Sequence, residues 1–262
     1  MRRAAALAAL TAISLAIAHP ASASAAKRQR PVSFSFCRRY QHLNVGNSLG
    51  TRYTVYNDMF GSPTQCLANS NRWSNFQVAK SAAFSRNQEP QAFPDIYYGC
   101  SRGWCSPDTV LPLRVYALNR PETSWYTTDR AGGQWDVAYD LWFSRTRQIS
   151  GQPNGAELMI WLNERGSRVP TYDGGRYLRI AGTSWYMDHW RPCRQRTCWN
   201  YVRFWRVHRT SQVSHLWLDP FIRSAEGKRL IERSWWLDSI AAGYEIWRNG
   251  TGLATTWFSA RA

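Results

Sequence analysis

Three carboxylates stand in stretches of sequence where a charge is costly. Glu157 lies in the run Gly-Ala-Glu-Leu-Met-Ile-Trp-Leu (155–162), Glu245 in Gly-Tyr-Glu-Ile-Trp-Arg (243–248), and Asp140 in Val-Ala-Tyr-Asp-Leu-Trp-Phe (137–143). Side chains of a strand alternate between its two faces. Glu157 therefore shares a face with Met159 and Trp161, Glu245 with Gly243 and Trp247, and Asp140 with Ala138 and Trp142, while the intervening residues are apolar and face a core. A carboxylate in such a place is paired or functional, because desolvating it alone is unfavourable. Salt-bridged residues on an open sheet would use the same residue types, but the Trp and Met flanks of all three favour a cleft. Two carboxyls in an aromatic cleft are the equipment of glycoside hydrolysis: one donates a proton to the leaving oxygen, and the other attacks the sugar or activates water. Burial and mutual repulsion hold their proton affinities apart.

The elements around them read as strands. Short alternating segments, at 53–57, 113–118, 135–143, 156–162, 177–180, 201–207, 234–237, 243–248 and 255–259, are separated by Gly, Pro, Asn and Asp clusters, which is the pattern of an all-β sandwich. One helix is expected: Asp219 suits the N-cap, Pro220 the first helical position, and Leu218, Phe221, Ile222 and Ala225 make one apolar face running toward an end near Ile231. Residues 1–25 read as a secretory signal, with Arg2 and Arg3 before a short apolar run and small-x-small sites at 21–25. Residues 26–36 form a short basic leader, and 37–262 a single domain.

Composition narrows the class further. The chain has 15 Trp and 13 Tyr, more rings than a core needs, so some are available as flat platforms for sugars. The formal charge of +16 admits an anionic partner, but the basic residues are scattered and no nucleic-acid motif accompanies them. Six cysteines, Cys37, Cys66, Cys100, Cys105, Cys193 and Cys198, fit export to an oxidising place and three disulfides, with spacing unlike a zinc knuckle. Their connectivity is open at this level, although two pairs are local.

The two glutamate runs resemble, in order, the nucleophile and acid/base strands of glycoside hydrolase family 12. The segment 138–143 resembles the family's aspartate strand, and Tyr98-Gly99-Cys100 with Cys105-Ser106 and Leu111-Pro112 resembles its disulfide loop in actinobacterial members. The resemblance extends from about Cys37 to the C-terminus. It implies a β-jelly roll of two curved antiparallel sheets, concanavalin A-like, with an open groove. It implies Glu157 as nucleophile, Glu245 as acid/base, Asp140 orienting Glu157, and the pairs Cys37–Cys66 and Cys100–Cys105. Cys193–Cys198 then follows by proximity and elimination as an extra hairpin. Asn57, Phe60, Met159, Trp161, Asn200 and Trp247 are the substrate-binding candidates. Phe60 stands where the family carries a stacking Trp, and the family's Pro-Ile-Gly-Ser run is missing after Gly166.

The function so implied is a secreted, extracellular, retaining endo-β-1,4-glucanase. It acts as a monomer on soluble β-glucan polysaccharide, needs no metal or other cofactor, and engages neither nucleic acid nor membrane. A lectin-like binding sandwich would share the fold but has no use for all three carboxylates. A transglycosylase would share every residue named.

Overall fold

The alternation read at 156–162 divides one strand between two environments. In the computed structural model Leu158, Ile160 and Leu162 enter the main hydrophobic core with Trp125, Val78 and Phe258, whereas Met159 and Trp161 join a second cluster with Tyr56, Tyr97, Tyr201 and Trp247. The structure describes residues 34–47, 50–61, 64–69, 74–147, 150–166 and 175–262. The signal, most of the leader, and the segment 167–174 after Gly166 lie outside the described residues.

The long sheet carries nine strands along its main path: β1 (His42–Asn47), β2 (Gly50–Asp58), β3 (Phe93–Ser101), β4 (Gly133–Ser144), β5 (Ala156–Arg165), β6 (Arg176–Ile180), β7 (Thr183–Trp190), β8 (Asn200–Arg206) and β9 (Trp236–Gly243). Their spatial order is β6-β7-β8-β5-β4-β9-β3-β2-β1. Neighbours are antiparallel except β5 and β8, which run parallel with Glu157 opposite Tyr201. A six-stranded sheet, ordered Phe34–Phe36, Gln65–Asn69, Phe76–Ser81, Ala254–Arg261, Glu122–Thr128, Gln212–Trp217, covers the core face and completes the β-jelly roll sandwich. Disulfides join Cys37–Cys66, Cys100–Cys105 and Cys193–Cys198.

Four elements differ from the sequence reading. The segment 234–237 enters its strand only at Trp236, and that strand continues to Gly243. The segment 113–118 is a strand only over Leu113–Arg114 before a 3-10 turn at Val115–Ala117. The helix spans Asp219–Glu226, with Leu218 rather than Asp219 at the N-cap. It stops early because Arg229 takes a left-handed conformation (φ 60°) while Arg229 N–H bonds the Glu226 carbonyl and Leu230 N–H the Ala225 carbonyl, a Schellman-type ending with Arg in the usual glycine place. The segment 243–248 is not one strand. β9 ends at Gly243, and pairing resumes at Ile246–Asn249, leaving Tyr244 and Glu245 in a break.

Candidate active site

That break is where the acidic groups converge. Gly243 lies so close to the neighbouring strand that a Cβ would stand 2.6 Å from the Pro94 carbonyl oxygen, so only glycine fits where β9 ends. Glu245 N–H then donates to Asp136 Oδ1 (3.1 Å), and Asp136 N–H donates to the Glu245 carbonyl (3.0 Å). Asp136 is wholly buried, so its carboxyl fixes the backbone of Glu245 from beneath. Tyr244 points into the core, and Glu245 points the other way into a groove of about 820 Å³.

Glu157, near the start of β5, enters the same groove. Its cross-strand neighbour on β4 is Trp142, and Asp140 sits two residues along β4, opposite Met159. The carboxylates are held by indoles. Trp199 Nε1–H donates to Glu157 Oε2 (2.7 Å), and Trp142 Nε1–H donates to Asp140 Oδ2 (2.7 Å). The two indoles lie 5.7 Å apart, centre to centre. The groove is also lined by His42, Tyr56, Asp58, Phe60, Phe93, Arg102, Arg194 and Thr197. Beside it, Arg203 is buried against Asp188 and sits over the rings of Trp161, Trp190 and Trp205.

Crowding of acids in a desolvated place raises their proton affinity. Burial, then the charge of Asp140, lifts Glu157 well above the usual carboxylate range, against the pull of the Trp199 hydrogen bond. Burial lifts Glu245, opposed by the Asp136 hydrogen bond and by Arg203. Burial, then Glu245, lifts Asp136 well up. Burial pushes Asp140 to about 8, Asp238 to about 7 and Asp58 to about 6. A raised carboxyl is bound neutral by the fold. Its contribution to stability is complete below the unfolded value near 4 and fades as pH rises through the folded value. The melting temperature is therefore expected to fall by a few degrees between about pH 5 and pH 8 at low salt. A flat or rising curve over that window would contradict these burial effects.

Of the candidate substrate-binding residues, Phe60 and Met159 line the groove with Glu157, Glu245 and Asp140. Trp161 and Trp247 lie in the aromatic cluster beside it, 6.2 Å apart and edge to face. Two assignments are corrected. Asn57 is fully buried on the core side of β2; its amide donates to the Arg38 and Gln65 carbonyls and its oxygen accepts from Gln65, so it braces the chain by the Cys37–Cys66 bridge. Asn200 falls on the face of β8 shared with Val202 and Phe204, and its amide donates to the Leu230 carbonyl (2.8 Å). Asp136, Trp199, Arg102 and Asp58 were not foreseen. Asp136 keeps the alternation of Asp140 and was within reach of the same reasoning. The reach of Trp199 to Glu157 depends on β8 lying beside β5, which no local pattern signals.

Comparison with known proteins agrees with this geometry. Residues 51–262 match the sequence model of glycosyl hydrolase family 12. The chain is 28% identical over 156 residues to a probable cellulase Cel12b of Mycobacterium tuberculosis, covering 58% of this chain and 97% of that protein. Among solved structures, a metagenome-derived glycoside hydrolase family 12 endoglucanase superposes with a TM-score of 0.80 at 33% identity, covering 88% of this chain and 98% of the other. Endoglucanase cel12A from Rhodothermus marinus gives 0.78 at 33% identity, covering 87% and 97%.

Proposed function

The chain belongs to glycosyl hydrolase family 12, and on that premise we propose that it is a secreted endo-β-1,4-glucanase that retains anomeric configuration. The observation that supports this most is the delivery of Glu157 and Glu245, from a strand and from a strand break on the other side of β4, into one open groove. Glu157 attacks the anomeric carbon while Glu245 protonates the departing oxygen. Glu245 then takes a proton from water as the water displaces Glu157. Asp140 and Glu157 titrate as a unit. Attack requires Glu157 ionised: it is the more exposed of the two and accepts the Trp199 N–H, while Asp140, 7% exposed and pushed by burial to about 8, carries the proton in that reactive form.

A groove of about 820 Å³ that takes both glutamates from one face of the long sheet has room for the middle of a polymer, which favours internal cleavage. Phe60 offers a smaller ring than Trp, so soluble or branched glucans, such as mixed-linkage glucan, carboxymethyl-cellulose or xyloglucan, suit the groove better than crystalline cellulose. The three disulfides and the signal-like N-terminus favour secretion. The test is a panel of polysaccharides. Viscosity of a soluble β-1,4-glucan is expected to fall faster than reducing ends appear, and proton NMR of the first product is expected to show the β anomer. Absence of reducing-end release from every glucan would leave a binding sandwich instead.

A further inference from the structure

The hairpin between β7 and β8 is a wall of the groove, and its far side ends at Glu157. Cys193–Arg194 pairs with Thr197–Cys198 around Gln195 and Arg196, both at positive φ (47° and 70°), as a two-residue hairpin turn requires. The Cys193–Cys198 disulfide closes this hairpin across its paired positions. The next residue is Trp199. Its N–H bonds the Pro192 carbonyl (3.2 Å), and Asn200 N–H bonds the Gly155 carbonyl (3.0 Å), where β8 joins β5. Trp199 is thus fixed on both sides in sequence, by the cross-linked hairpin and by the start of the parallel pairing.

We infer that Trp199 is a positioning residue for Glu157 and that the Cys193–Cys198 hairpin holds it in place. The inference rests on the reading of Glu157 as nucleophile. An indole N–H has one hydrogen to give and accepts nothing. Aimed at Oε2 from 2.7 Å, it favours the ionised carboxylate, fixes its rotation, and leaves the second oxygen for the anomeric carbon. Trp142 Nε1–H likewise fixes the rotation of Asp140 through Oδ2, and the packing of the two indoles sets each against the other. The bond also opposes the rise in proton affinity that burial and Asp140 impose on Glu157. The ring is only 9% exposed, so a stacking platform for sugar is the weaker use of it.

Trp199→Phe keeps the ring and removes the donor. Loss of one hydrogen bond to a charged group is expected to lower kcat by roughly ten- to a hundredfold with KM little changed. The acidic limb of kcat/KM against pH should move upward, because the ionised carboxylate has lost a partner that favoured it. Opening the hairpin with Cys193→Ser and Cys198→Ser together should move both quantities the same way by less, and should add nothing in the Trp199→Phe background. An unmoved acidic limb with unchanged kcat in Trp199→Phe, a rise in KM alone, or full additivity of the cysteine pair overturns the inference. If Trp199→Phe does not fold, the cysteine pair decides, and an unmoved limb there overturns it. Hydrolysis surviving in Glu157→Gln would instead defeat the nucleophile assignment, so the two failures are distinct.

Discussion

Glu157→Gln is expected to lower turnover of soluble β-glucan at least about a thousandfold while leaving the melting temperature near that of the parent. Glutamine has the same shape, and its amide oxygen still accepts the Trp199 N–H that now binds Glu157 Oε2. It cannot form the glycosyl ester. It also removes a charge from a crowd of acids that includes Asp140 and Glu245, so the fold has no electrostatic reason to weaken. Circular dichroism and thermal melting separate loss of chemistry from loss of structure. A folded variant with near-normal reducing-end release would remove Glu157 from the reaction.

Glu245→Gln should be nearly as damaging on polysaccharide, by roughly a hundred- to ten-thousandfold, because general acid and general base assistance are both lost. Its diagnostic behaviour lies in the leaving group. With a dinitrophenyl β-cellobioside the leaving oxygen needs no proton, so the first step should remain fast and the second should stall. The expected record is a burst of dinitrophenolate followed by slow turnover, relieved by azide with formation of the β-glycosyl azide. Equal impairment on activated and natural substrates, without a burst or azide relief, would contradict the acid/base role. The Asp136 contacts to the backbone of Glu245 do not involve the substituted side chain and should keep the segment in place.

Much of the site was legible from the two-residue period of strands. It placed Met159 and Trp161 on the face of Glu157, and Trp142 on that of Asp140, because β4 and β5 are long strands buried on both faces. It also gave the correct facing of Glu245 and Trp247 although the strand is interrupted between them and Gly243. The same rule argues against Asn57 and Asn200, which share parity with the core residues Val55 and Val202; only the family resemblance speaks for them. What alternation cannot supply is contact across the sheet. The hydrogen bond from Trp199 exists because β8 lies parallel beside β5, and the hold of Asp136 on Glu245 exists because the two residues stay opposite each other past the end of β9. The helix stops short of Ile231 because Arg229 takes the left-handed conformation, and an arginine gives no sequence signal for such a stop as a glycine would.

Double displacement through Glu157 makes a covalent intermediate, and that is the claim to measure. A 2-deoxy-2-fluoro-β-cellobioside with a good leaving group forms the glycosyl-enzyme quickly and releases it slowly, so digestion and mass spectrometry locate the sugar. The expected result is one fluorocellobiosyl group per chain, carried on the peptide containing Glu157 and on that side chain. No covalent label, or a label on Asp140 or Glu245 instead, would contradict the mechanism.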